Sequence, residues 1–216
     1  MRIADQLHEQ AQALFDALRT GSLDHVRGGV TRDTYGEGEA FAHVLLAQHA
    51  TQIGLEVRHD HMRNTYMVLP GVDRSLPAIV IGSHLDSVAG GGNFDGAAGV
   101  VSGLIALQAL MQSGIKLPCD VMVMGVRAEE SIWFQVSYIG SRGALGRLQA
   151  EALQARRIDT GRTLADHLRE AGGDPEAVQR GETFLSPKNV RAFMEVHIEQ
   201  APSLALTGFP IAIGTG

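Results

Sequence analysis

The sequence predicts an α/β fold, a mixed sheet flanked by helices. Three observations predict it: short apolar runs at 78–81 and 119–126, a helical pattern of small and aliphatic residues between them at 96–111, and a further apolar run at 192–198. Strands separated by helices in this way build a layered sheet. A chain of 216 residues buries a real core and makes one domain, at most two.

Each element has its own local reason. Ile3, Leu7, Ala11, Leu14, Phe15 and Leu18 fall at helical spacing, so residues 3–18 form an amphipathic opening helix. Gly21 to Gly38 is glycine-rich and polar, with Thr31, Arg32 and Asp33 inside it, and reads as a surface loop. A second helix runs from Glu39 to Gln52 and stops at Gly54. Leu55–His59 and Thr65–Leu69 form a strand pair, joined by a charged turn that contains His59-Asp60-His61. Ala78-Ile79-Val80-Ile81 is a buried strand, and Gly96–Met111 a tightly packed helix. Cys119–Val126 is the next strand, with Cys119 a small buried hydrophobe at its start. Residues 137–182 are more polar, helical over Thr163–Ala171, with Gly172-Gly173-Asp174-Pro175 opening a further turn of helix. Ala192–Ile198 is the last clear strand, and Phe209-Pro210-Ile211-Ala212-Ile213 begins another apolar one. There is no internal repeat and no low-complexity segment.

Composition excludes several classes. Hydrophobic residues make up 44% of the chain, which is globular and not disordered. A net charge of −6 is the opposite of the basic footprint of a nucleic-acid binder. No apolar span is long enough to cross a bilayer. The opening Met1-Arg2-Ile3-Ala4-Asp5-Gln6 lacks the apolar core of a signal peptide, so the expected location is cytoplasmic. A single cysteine excludes an internal disulfide.

The chemistry concentrates after the predicted strands. Gly82-Ser83-His84-Leu85-Asp86-Ser87 follows the run at 78–81, and Gly91-Gly92-Asn93-Phe94-Asp95-Gly96 comes next. Glu129-Glu130 follows the strand at 119–126, and His197 lies within Glu195-Val196-His197-Ile198-Glu199-Gln200. Imidazoles and carboxylates of this kind suit Zn, Mn, Co or Ni. His84 reads as a metal ligand, and Asp86, two residues on, as the partner that fixes its tautomer. Asp95 is a candidate bridge between two ions about 3.5–4 Å apart. Glu129 and Glu130 cannot both point the same way from an extended segment, so one can ligate while the other acts as a base. His197 completes one ion's protein ligands. Each residue has a plainer reading: His84-x-Asp86 as a surface ion pair, the Glu pair as a solvated helix start, His197 as a core histidine. Convergence at strand ends, where open α/β sheets bind ligands, favours the metal reading. His8, His25, His43, His49, His59, His61 and His167 lack that placement and are expected on the surface or on helices.

Gly82-Ser83-His84-Leu85-Asp86-Ser87-Val88, Gly92-Asn93-Phe94-Asp95-Gly96, Arg127-Ala128-Glu129-Glu130 and His197-Ile198-Glu199-Gln200 together resemble the zinc-dependent amidohydrolases of the N-carbamoyl-L-amino-acid hydrolase, allantoate amidohydrolase and β-ureidopropionase group. That group sits within the aminoacylase and carboxypeptidase-like metallopeptidase superfamily, and the resemblance implies a dinuclear-zinc exopeptidase-like catalytic domain. It also implies hydrolysis of a linear amide or ureido C–N bond in a small-molecule substrate. His84, Asp95 and His197 would hold metal one; Asp95, Glu130 and a histidine near the family's C-terminus would hold metal two. Glu129 would be the general base, Asp86 would orient His84, and Gln200 would help hold substrate. Members of the group are about twice this length and dimerise through an inserted lid. The resemblance thus makes residues 1–216 the N-terminal portion of the catalytic domain, truncated before the lid, with one metal site complete. Ser131-Ile132-Trp133-Phe134 and Ala201 depart from the group's pattern, at the expected pocket rim. The alternatives are a non-catalytic metal- or partner-binding remnant, and a peptidase or aminoacylase of the same superfamily.

Overall fold

The computed structural model describes residues 3–214; Met1–Arg2 and Thr215–Gly216 lie outside it. Helix α1 (Ile3–Gly21) and helix α2 (Glu37–Gln52) precede the hairpin β1 (Glu56–His59) and β2 (Thr65–Leu69). Strand β3 (Ala78–His84), helix α3 (Ala97–Ser113) and strand β4 (Val121–Val126) follow. Then come α4 (Ile139–Ala144), a 3-10 turn at Ala150–Gln154, α5 (Leu164–Glu170), α6 (Pro175–Gln179), β5 (Val190–Met194) and α7 (Ser203–Thr207). Among the described residues no helix is long and apolar enough to cross a membrane.

The sheet is mixed and open, in the order β1-β2-β4-β3-β5. β1 and β2 are antiparallel, as are β2 and β4, whereas β3 runs parallel to both β4 and β5. The parallel register aligns His84 with Val126. Alternation along the strands divides the side chains between two faces. Met67, Val121 and Val123 pack with Leu14, Leu18, Leu46, Leu104 and Leu107 of α1, α2 and α3. Tyr66, Val68, Val80, Met122 and Met124 face the other side, against Ala144 and Leu185. Glycines let α3 approach the sheet: a Cβ on Gly103 would sit 2.9 Å from a Val123 methyl.

Several expectations need correcting. The 137–182 stretch is not merely polar. Ile139, Leu148, Leu153, Leu164, Leu168 and Val178 build a core of their own with Trp133 and Phe134. Its short helices carry too few apolar residues each for a periodic signal. The Gly21–Gly38 segment is not all surface, because Arg32 is fully buried. β5 is placed at Val190–Met194, earlier than Ala192–Ile198, because the chain leaves the ladder after Met194. Among the described residues no strand forms at 209–213, where Phe209, Ile211 and Ile213 are exposed. The apolar residues there find no neighbouring strand to pair with. Trp133 and Phe134 are buried and not at a rim, with the Trp133 indole donating to the Ser87 carbonyl at 2.9 Å.

Candidate metal centre

Parallel strands β3, β4 and β5 all point their C-terminal ends at one place. β3 ends on His84, β4 leads to Glu129 and Glu130, and the chain beyond β5 reaches His197. Asp95 arrives on the loop between β3 and α3. At its exit Gly96 takes φ +63°, and a Cβ there would lie 2.6 Å from His84 Cγ. Only glycine lets that loop close on the imidazole.

The His84 Nδ1 faces the Asp86 backbone carbonyl at 2.9 Å, and the Asp86 carboxylate at 3.5 Å. The His197 Nδ1 faces the Ile198 carbonyl at 2.8 Å. Carbonyl oxygens only accept, so both Nδ1 atoms carry hydrogen and both Nε2 atoms are turned to the shared space. Those Nε2 atoms are 3.2 Å apart. Asp95 Oδ1 lies 3.6 Å from the first and 3.4 Å from the second, is buried, and has no hydrogen-bond partner.

This triangle matches what a cation requires. Ligands placed tetrahedrally at ~2.0–2.1 Å from zinc are about 3.3 Å from one another. The three edges of 3.2, 3.4 and 3.6 Å bracket that value. The orphaned Asp95 oxygen, which would otherwise be a costly buried acceptor, is then satisfied. His84, Asp95 and His197 therefore fit a divalent ion, and so does a second group of His84, Glu129 and Glu130. Because His84 Nδ1 is engaged, the two groups draw on the same Nε2.

The Glu pair departs from expectation. Ala128 adopts φ +57°, so the segment after β4 turns instead of extending. The backbone N–H groups of Glu129 and Glu130 both donate to the Asp86 carboxylate, at 3.0 and 3.1 Å. That turn brings both carboxylates within reach of His84. Asp86, fully buried, also accepts from the Thr34 hydroxyl at 2.6 Å. Gln200 donates its amide to Asp95 Oδ2 at 2.8 Å, so the second Asp95 oxygen is occupied within this chain.

Burial and the packing of charged groups shift the protonation equilibria of the site. Burial would push the His84 imidazole down, but the neighbouring Asp86 and Glu129 carboxylates outweigh it and raise it to about 9. Burial, then Asp86, raise Glu130 to about 7. Glu129 also lies above the usual carboxylate range, through burial and despite the attraction of His84. Above these residues opens a cleft of about 610 Å³, lined by Ser83, His84, Glu129, Tyr138, Glu195 and His197 among others.

Sequence reading missed the supports behind this layer. Glu39, fully buried, accepts from the Tyr35 and Ala128 backbone N–H groups at 2.6 and 2.8 Å and from the Arg127 guanidinium at 3.0 Å. It thereby ties the Thr34 loop to the Ala128 turn. No local motif marks Glu39, since its partners lie up to 89 residues away.

Comparison with known proteins agrees with this architecture. Residues 64–160 match the sequence model of Peptidase family M28. The chain is 35% identical over 88% of its length to the N-carbamoyl-L-amino acid amidohydrolase of Geobacillus stearothermophilus, covering 46% of that protein. It is 32% identical over 95% of its length to allantoate deiminase 2 of Glycine max, covering 43% of it. The crystal structure of a hydantoinase/carbamoylase family amidase from Burkholderia ambifaria superposes with a TM-score of 0.78 at 31% identity, over 91% of this chain and 46% of that one. The chain spans about half the length of the curated relatives it matches.

Proposed function

From a chain homologous to the N-carbamoyl-L-amino-acid amidohydrolase group over about half the length of its members, we propose a metal-dependent hydrolase acting on linear amide or ureido C–N bonds. The substrates would be small molecules of the N-carbamoyl amino acid, allantoate or ureidopropionate type. In this reading residues 1–216 belong to the catalytic domain and work in the cytoplasm, in keeping with a single, buried, free Cys119. The observation that carries it is the triangle of His84, Asp95 and His197 beside the Glu129–Glu130 pair.

In this reading His84, Asp95 and His197 hold one divalent ion, and Glu130 stands at the neighbouring position with Asp95. A bound ion of this kind polarises the scissile carbonyl and acidifies water. Glu129, half-buried and with an elevated pKa, takes a proton from the attacking water and returns it to the leaving nitrogen as the C–N bond breaks. Asp86 holds His84 in the tautomer that presents Nε2, and by accepting from both Glu backbones it fixes where the base stands. Gln200 orients Asp95 by donating to its Oδ2.

The test is ammonia release from N-carbamoyl amino acids and allantoate, with and without added zinc or manganese. Slow, metal-dependent release by the 216-residue chain, lost in Glu129→Gln while metal binding persists, is the expected result. Release indifferent to both metal and Glu129 would contradict the reading. The match to Peptidase family M28 keeps a peptidase as the second reading, and a dipeptide in the same assay discriminates it.

A further inference from the structure

We propose that Arg32 is a positioning residue, holding together the two backbone segments that carry His84 and Asp95 and thereby setting the distance between their donor atoms. The proposal rests on the metal reading above. Arg32 has no solvent exposure and is among the largest fully buried side chains. A buried charge is costly unless it is paired. The guanidinium here pairs with carbonyl oxygens instead of a carboxylate. Its Nε donates to the Leu85 carbonyl at 2.8 Å, and its Nη2 to the carbonyls of Asn93 and Asp95 at 3.2 and 3.1 Å. Its Nη1 donates to Asn93 Oδ1 at 3.3 Å.

Leu85 stands between His84 and Asp86, while Asn93 and Asp95 belong to the second ligand-bearing loop. One planar fork therefore grips both segments. The Arg32 backbone adds to the grip, since its N–H donates to Ser87 Oγ at 3.0 Å and its carbonyl accepts from the Ser87 N–H at 2.8 Å. An apolar side chain could fill this volume with less cost in desolvation. What it could not do is fix the His84–Asp95 separation to the tolerance of about 0.5 Å that a functional constellation needs. Lysine keeps the charge but offers a single nitrogen on a flexible stem, so it cannot bridge both segments in the same geometry.

The experiment measures zinc affinity by competition with a chromophoric chelator, for the parent chain, Arg32→Lys and Asn93→Ala. Each is measured well below its own metal-free melting midpoint, with folding checked by circular dichroism. Arg32→Lys is expected to weaken zinc by at least about tenfold, the scale of losses when the residues around a ligand are changed. Asn93→Ala, which removes one acceptor of the fork, is expected to weaken it a few-fold. A residue that merely supports the fold would lower the midpoint and leave the folded chain's affinity unchanged, and that result overturns the proposal. Should Arg32→Lys not fold, Asn93→Ala decides: weakened zinc supports the clamp and unchanged zinc removes it. A parent chain that binds no zinc overturns the metal reading itself and the clamp with it. Zinc bound equally by all three overturns the clamp alone.

Discussion

Asp95 supplies the only carboxylate oxygen in the triangle with His84 and His197, and that oxygen has no other partner. Asp95→Ala should therefore abolish metal binding more completely than Glu130→Ala, by more than about a hundredfold, since losses of 10–100-fold already follow from outer-layer changes. Isothermal titration with zinc or manganese checks this, and equal losses in the two variants would count against it. One layer out, Glu39 pairs with Arg127 in the interior. Glu39→Gln removes the countercharge of that guanidinium and turns an amide NH2 toward a backbone donor, and should cost about 3 kcal/mol in urea unfolding near neutral pH, the scale of a broken buried pair. Burial raises the Glu39 carboxyl above its ordinary 4.5, against the pull of Arg127. The folded chain then keeps a proton that the unfolded chain releases, and this advantage of the protonated form, separate from the ion pair, is lost as pH rises from about 4.5 into the neutral range. The variant, with no proton to lose there, should show a flatter dependence of melting midpoint on pH; an unchanged slope would refute the assignment. The places of His84 and Glu129 were legible in sequence because each follows directly on its own strand. Arg32 and Glu39 were not, since the partners that explain them, Leu85 and Ala128, lie 53 and 89 residues away in the chain.

Among the elements, β3 and α3 decide how the two ligand-bearing segments meet. Gly96 joins them at a positive φ of +63°, packed against the His84 ring. Gly96→Ala should displace the imidazole, lower metal affinity at least tenfold, and destabilise the fold by ~1–3 kcal/mol through the strained backbone alone. Thermal melting with and without zinc measures both effects, and an alanine variant indistinguishable from the parent would refute this part. The buried strands at 78–84 and 121–126 and the helices at 3–21 and 97–113 were readable because each carries a full local pattern. The helices between 139 and 179 have at most seven residues each and gain stability from a shared core. The apolar run at 209–213 shows the opposite error. Hydrophobicity specifies a strand only where a neighbour can pair with it.

For the molecule as a whole, ion binding would be linked to folding. A metal that binds the folded chain alone at a hundred times its dissociation constant stabilises it by ~2.7 kcal/mol. For a domain of this size that corresponds to roughly 5–11 °C in melting midpoint. Zinc or manganese should produce such a shift, and a chelator should reverse it. The two ligand groups share the His84 Nε2, so one tight ion per chain is expected. The most direct measurement is therefore metal content, by elemental analysis of the purified chain after equilibration with zinc or manganese and removal of free ion. Close to one ion per chain, lost in Asp95→Ala, is the predicted result. A chain that retains no ion, or retains it undiminished without Asp95, would show that His84, Asp95 and His197 converge for some purpose other than holding a metal.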